Sequence, residues 1–270
     1  MKKYIFTDLA CEMSNESVAK KESLGENIDK VVYDSDASLK EKRITFFTPR
    51  LWLLSDSDFC ILSNGIAYEL KVFAKKINPR GACLRILVVG IGNPCLTSDA
   101  LGPNTVKGIY VTPPSGRSPV KIAAIVPDVA GNTGVETIDT VRAYVKIIRP
   151  DIVIAIDSLR ARSYERLAST VQLSYSGIVP GSGIGNSGEK INGESIGTPV
   201  ISIGIPTVIS SSTLIYETLE RCGAELENEE LITLLENNLN YFVSPKEVDL
   251  LVKSASLLLS AAINSAFCDQ

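Results

Sequence analysis

Four short, nearly unbroken apolar runs set the frame of this chain: LRILVVGIG (84–92), KIAAIVP (121–127), DIVIAID (151–157) and VISIGIP (200–206). Continuous runs, unlike alternating ones, belong to strands covered on both faces. Helical spacing lies between them. ALGPNTVKGIYV starts a short helix after the first run, and Ile138, Val141, Val145 and Ile148 recur at helical intervals in GVETIDTVRAYVKIIRP. The alternation predicts an α/β fold: a doubly wound, mostly parallel sheet with helices on both faces.

The flanks are less regular. Residues 1–30 are polar without a clear period and read as a mobile arm followed by a charged segment. VVYDS, RITFFT and LWLLSDSDFCILS read as short β-like runs, and AYELKVFAKKI as a helix with Leu70, Phe73, Ala74 and Ile77 on one face. Asn78-Pro79-Arg80-Gly81 reads as a turn. Between the third and fourth runs, GIVPGSGIGNSGEKINGESIGTP carries seven glycines from Gly177 to Gly197. It reads as a loop folded over a site, because the strand after it resumes the same sheet. Near the end, Ser244, Pro245 and Glu247 form a helix-start signature ahead of an apolar helix running to Phe267.

Composition narrows the function. With 270 residues, 45% of them apolar, the chain can bury a large core. The net charge is −4 and the basic residues are scattered, so the basic stripe of a nucleic-acid-binding surface is missing. Cys11, Cys60, Cys83, Cys95, Cys222 and Cys268 form no CxxC pair, which suits idle thiols in a reducing compartment. Met1-Lys2-Lys3 lacks a following signal-type apolar region, and no run reaches the ~18 apolar residues of a membrane helix. A soluble, cytosolic protein is expected.

The chain has no histidine. That excludes Ser-His-Asp and Cys-His catalysis and the commonest catalytic zinc sites. Acid–base chemistry must come from Asp, Glu, Lys, Tyr or Cys, and paired carboxylates can share a proton and activate water. Asp99, in the loop after the first run, and Asp157, at the end of the third, are the candidates. Each could instead cap a following helix, Asp157 capping SLRARSYERL. Ligands of open α/β sheets bind outside the carboxyl ends of strands near the switch point, where two such carboxylates can converge. Asp128 is a third strand-end acid with the same two readings. Arg160 and Arg162 could bind a substrate carboxylate or tune Asp157, or lie on a solvated helix face. Gly90-x-Gly92 resembles part of a dinucleotide fingerprint, but Cys95 stands in place of its third glycine and no strand-end acid follows at the usual distance of about 20 residues. Ser210-Ser211-Ser212 reads as a helix start.

GIGNPCLTSDALGP, PDVAGNTGVET, PDIVIAIDSLRARSYER, GIVPGSGIGN, GTPVISIGIPTVI and VSPKEVD, in this order, together resemble the spore germination protease family over roughly residues 84–250. Upstream, the resemblance is confined to TDLACE (7–12) and looser matches. It implies an aspartic-type endopeptidase without metal or cofactor that degrades small acid-soluble spore proteins in the cytoplasm of the spore core. The family's fold resembles that of the hydrogenase-maturation endopeptidases. Asp99 and Asp157 match its two catalytic aspartates, and Asn93, Asp128, Arg160 and Gly183 would line the site. Family members are zymogens, and TDLACE resembles their processing site, which puts the cut between Asp8 and Leu9. The expected organisation is a propeptide over 1–8 and a single peptidase domain over 9–270. The expected partners are the substrate and further copies of the chain, with no nucleic acid and no membrane. Three features depart from the family: the chain is shorter, PDVAGNTG has Asp where the pattern has Gly, and SLRARS carries an extra arginine. The alternatives are a metal-assisted maturation-type protease with carboxylate ligands, or a non-catalytic peptide-binding relative.

Overall fold

The computed structural model of the chain describes residues 6–13, 18–33, 42–79, 83–113, 118–181, 188–224, 228–237 and 241–268. Its strands are β1 (Val18–Ser23), β2 (Asp29–Tyr33), β3 (Arg43–Phe47), β4 (Leu84–Gly90), β5 (Val120–Ile125), β6 (Ile152–Ala161), β7 (Thr170–Ser174), β8 (Val200–Ser210) and β9 (Phe242–Val243). They form one sheet in the order β1-β2-β3-β7-β8-β6-β4-β5, with β9 on β8. The block β8-β6-β4-β5 is parallel. Beyond β8 the sheet continues antiparallel through β7, β3, β2 and β1.

The helices are α1 (Asp56–Ile77), α2 (Leu101–Lys107), α3 (Ala130–Thr133), α4 (Thr137–Ile148), α5 (Gly193–Ile196), α6 (Ser211–Arg221), α7 (Glu229–Asn237) and α8 (Val248–Phe267). They cover both faces, as the doubly wound pattern predicts. On one face α1, α2 and α8 pack on Ile86 and Val88 of β4, Ile152, Ile154 and Ile156 of β6, and Ile201, Ile203 and Ile205 of β8. On the other face α4 lays Ile138 and Val141 against Leu87 and Val89 of β4 and Val153 and Ala155 of β6. All residues of β6 and β8 are buried, which explains their unbroken apolar runs.

Four local expectations are corrected. LWLLSDSDFCILS is not extended: Leu51–Leu53 form a 3-10 turn and α1 starts at Asp56. The Ser55 hydroxyl accepts the Asp58 N–H at 3.1 Å, while Asp56 and Asp58 sit in the first turn and Lys75 and Lys76 in the last, as the helix dipole favours. The C-terminal helix starts at Val248, after Ser244 and Pro245, and Glu247 makes no side-chain cap bond. By length and composition α8 could cross a membrane, but it lies in the core with Leu251, Leu258, Leu259 and Ile263 buried. Residues 6–13 are not a loose arm: Leu9 and Ala10 are fully buried. The strand bounds also differ, since β6 and β8 each run four residues past the expected end. The expected turn at 78–81 falls partly on Arg80 and Gly81, outside the described residues. Ser210 does cap α6, as its serine run implies, by accepting the Thr213 N–H.

Candidate active site

From β4 the chain crosses to β5 on one side and then returns to β6 on the other. The crevice at the carboxyl ends of β4 and β6 is therefore a switch point. Three glycines let the β4–α2 segment settle there. Gly92 has φ +117, and a Cβ on it would lie 2.0 Å from the Asp99 carbonyl oxygen. A Cβ on Gly102 would meet the Ile91 oxygen at 2.3 Å and the Ile156 oxygen at 2.6 Å, and one on Gly90 would meet the Gly102 oxygen at 2.4 Å. The Ile91 N–H donates to the Ile156 carbonyl at 2.8 Å, and the Thr207 hydroxyl donates to the Ser98 carbonyl at 2.6 Å. The loop is thus fastened to both β6 and β8.

This packing places Asp99 inside the protein. It ends a 3-10 turn, Thr97–Asp99, and does not cap α2, whose N-cap is Ala100 without a side-chain bond. Asp99 Oδ2 accepts the Asn93 N–H at 2.7 Å, and Asn93 Oδ1 accepts the Cys95 N–H at 2.9 Å, which shapes the loop. Burial pushes the Asp99 carboxyl up to about 6, and the Asn93 amide holds it back only in part.

Asp157 does not cap a helix either, because β6 continues through it to Ala161. Its side chain is fully buried. Oδ1 accepts the Ser158 N–H at 2.8 Å, while Oδ2 has no hydrogen-bond partner among the described residues. Its acidity is weakened well beyond the carboxylate norm. Burial is the first cause and the charge of Asp99 the second, with Asp8 adding a smaller push, while the amides of Ser158 and Gly181 pull the other way. With the charge of Asp99 opposing the ionisation of Asp157, the pair can hold one proton between them.

The other expected site residues divide. Asn93 belongs to the site through its amide. Arg160 is buried on β6 rather than displayed on a helix, but it turns to the N-terminal segment: its guanidinium lies 4.5 Å from the Phe6 ring centroid, and burial lowers its pKa while Asp8 raises it. Arg162 sends its guanidinium to Glu220, 3.0 Å away. Asp128 lies two residues before α3, whose N-cap is Val129, and shapes the turn into it. At φ +62 its Oδ1 accepts the Val129 N–H at 2.7 Å and the Asn132 side-chain N–H at 3.0 Å. Its backbone is in the left-handed region that favours glycine, and aspartate is among the few others that tolerate it. Gly183 lies outside the described residues.

The groove beside Asp157 is occupied by residues 7–12. The Asp8 N–H donates to the Arg160 carbonyl at 3.0 Å, and Asp8 Oδ2 accepts the Arg160 N–H at 2.8 Å. Glu12 accepts the N–H groups of Arg162 and Ser163, each at 2.7 Å, and the Thr7 hydroxyl. Leu9 packs into the core formed by Val89, Ile91 and Leu159. Gln172 closes the set: its Nε2 donates to the Asp8 carbonyl at 2.9 Å, and its Oε1 accepts the Ala10 N–H at 2.6 Å. The sequence reading passed over Gln172. Its signal is the alternation in TVQLS, where polar Thr170, Gln172 and Ser174 share one face and yet all five residues are buried. A buried carboxamide needs polar partners, and the backbone of residues 8 and 10 supplies those of Gln172.

The model of a peptidase family, A25, described as germination protease, matches residues 56–230. Similar proteins include germination proteases of Caldanaerobacter subterraneus subsp. tengcongensis (39% identical over 67% of this chain and 65% of that one) and Clostridium acetobutylicum (32%, over 83% and 77%). Another, from Priestia megaterium, is 45% identical over 57% of this chain and 44% of its own. The chain thus spans less than two thirds of the first and third of these relatives. A solved structure, the [NiFe] hydrogenase maturation protease HycI of Thermococcus kodakarensis KOD1, covers 67% of this chain and 92% of its own with 15% identity and a TM-score of 0.35.

Proposed function

Because the chain belongs to the germination protease family, we propose that it is an endopeptidase that degrades small acid-soluble spore proteins during germination, in the cytoplasm of the spore core. Asp99 and Asp157 are the catalytic pair in this reading. The observation that carries it is that two buried carboxyls lie at the carboxyl ends of the neighbouring strands β4 and β6, where the charge of Asp99 is the second-largest influence on Asp157. With one proton between them, the ionised member takes a proton from water as that water attacks the peptide carbonyl. The neutral member protonates the leaving nitrogen. Asp99, at about 6, is mostly ionised at neutral pH, and Asp157 is the member that keeps its proton.

The same reading makes residues 1–8 a propeptide. The groove occupied by residues 7–12 supports it, because a substrate of similar sequence would compete for the same contacts. The test is Asp99→Asn and Asp157→Asn in the full chain, with intact mass following the cut between Asp8 and Leu9 and gel analysis following a small acid-soluble spore protein. Both variants are expected to fold and to cut neither bond. Cleavage at the wild-type rate by either one removes that residue from the mechanism.

A further inference from the structure

Gln172 is positioned to act on the bond itself. Its carboxamide bridges the two sides of the peptide between Asp8 and Leu9: Nε2 donates to the carbonyl oxygen of that bond, and Oε1 accepts the N–H one residue further on. The two contacts fix the orientation of the amide, since a flipped carboxamide would set oxygen against oxygen and donor against donor. The sheet explains its placement. Gln172 of β7 pairs with Gly204 of β8, and Gly204 pairs with Asp157 of β6. Lateral partners share a face of a sheet. Gln172 and Asp157 therefore rise from the same face, two strand spacings or roughly 9.6 Å apart. Gly204 between them adds no side chain, and Leu159 fills its place: a Cβ on Gly204 would lie 2.4 Å from the Leu159 Cγ. The residue at the centre of the row is thus confined to glycine, with a carboxamide on one side and a carboxyl on the other.

We propose that Gln172 is a catalytic residue that holds and polarises the carbonyl oxygen of the bond being cut, and that residues 8–10 show how a substrate backbone lies in the groove. The proposal rests on the endopeptidase reading above. Water adds to the Asp8 carbonyl carbon and gives one proton to the ionised carboxylate of the pair. The carbonyl π electrons move onto oxygen, where the Gln172 Nε2–H receives the new negative charge. The intermediate collapses as C=O re-forms and the C–N bond breaks. The leaving Leu9 nitrogen takes a proton from the neutral carboxyl, and the pair ends as it began, with one proton.

Gln172→Glu separates this role from simple docking. Glutamate keeps the acceptor for the Ala10 N–H but sets a negative oxygen against the Asp8 carbonyl. The experiment measures the first-order self-cleavage rate of the full chain by intact mass from pH 4 to 8, with hydrogen exchange at Ala10 reporting whether the segment stays docked. The expected result at pH 8 is a docked segment and a rate lowered by roughly a hundredfold or more, the usual effect of losing one oxyanion donor. The deficit relative to wild type should shrink as pH falls and the introduced carboxylate is protonated, because the acid form donates again. Gln172→Ala should be slow at every pH. An active wild type with an equally active Gln172→Glu overturns this proposal alone, as does a deficit that tracks loss of docking and ignores pH. A wild type that cuts neither its own bond nor a spore protein overturns the endopeptidase reading and this proposal with it.

Discussion

Replacing Asp99 with asparagine should make the protein more stable at neutral pH while it disables the site. The folded-state carboxyl sits at about 6 against an ordinary value of 3.8. Each unit corresponds to 1.36 kcal/mol, so the difference amounts to about 3 kcal/mol. A raised carboxyl pKa means that the folded chain binds the proton more tightly than the unfolded chain. Stability therefore falls as pH rises from about 4 to about 6, and the full cost stands above that window. Asp99→Asn removes the charge and keeps an oxygen for the Asn93 N–H, now 2.7 Å from Oδ2. Below pH 4 wild type and variant should unfold alike, because Asp99 is neutral in both states. Above pH 6 the variant should gain up to about 3 kcal/mol, or roughly 6–12 °C in Tm for a domain of this size. Urea unfolding at pH 4, 5, 6, 7 and 8 reads the difference directly. A constant offset between the two proteins across that range, or a variant less stable at pH 8, would refute the claim that burial of a charge at this position sets the shift.

Gly92→Ala should cost about 1–3 kcal/mol from backbone conformation alone and displace Asp99, whose carbonyl oxygen would lie 2.0 Å from the new Cβ; a folded chain with self-cleavage slowed at least tenfold is expected by urea titration and intact mass. Leu9→Ala empties a fully buried position, a change that costs about 2–5 kcal/mol in a fixed core. Release of residues 7–12 should cap the loss, so hydrogen exchange at Ala10 should accelerate while amides of β6 and β8 stay protected. Asp128→Gly relieves a left-handed backbone but gives up the bonds to Val129 and Asn132; stability within about 1 kcal/mol of wild type and an unchanged cleavage rate are expected.

Much of the parallel half of the sheet was legible because its strands are buried on both faces. LRILVVGIG, DIVIAID and VISIGIP carry that burial as continuous apolar runs, and α4 carries its one-sided burial as a helical period. Asp99 and Asp157 were also visible, as acids in or after such runs. The antiparallel half was harder to see. β1 reads VAKKES and β7 reads TVQLS, too polar to announce strands of an interior sheet. The apolar LWLL looked extended as a run by itself, although the Ser55-x-x-Asp58 cap signature directly after it marks the start of α1. The alternation in TVQLS marks Gln172 as sharing a polar face but not its role, because its partners are backbone groups of residues 8 and 10, more than 160 positions away. No local pattern encodes a contact with main chain, since every residue type presents the same N–H and C=O.

The ends of β6 and β8 show how the chain makes a buried carboxyl site accessible to a peptide. Had β6 stopped at Asp157, the carboxyl would sit at a strand end open to water, where desolvation could not raise its pKa. Instead the strand runs on to Ala161 beside β8, with an irregularity in register between Leu159 and Arg160. That extension does two things at once. Leu159 joins the core over Gly204 and helps to keep water from Asp157, and the backbone of Arg160 stays free of the sheet's neighbours on one side and pairs with Asp8 through both its N–H and its C=O. The groove is therefore built largely from main chain: Arg160, Arg162 and Ser163 bind through their backbone, and Gln172 imitates a peptide unit with its carboxamide. It holds residues 7–12 by their backbone path and by a few positions, the acid at 8, the buried leucine at 9 and the carboxylate at 12. In the proposed mechanism such a site brings a peptide bond, together with the attacking water, to the two buried carboxyls.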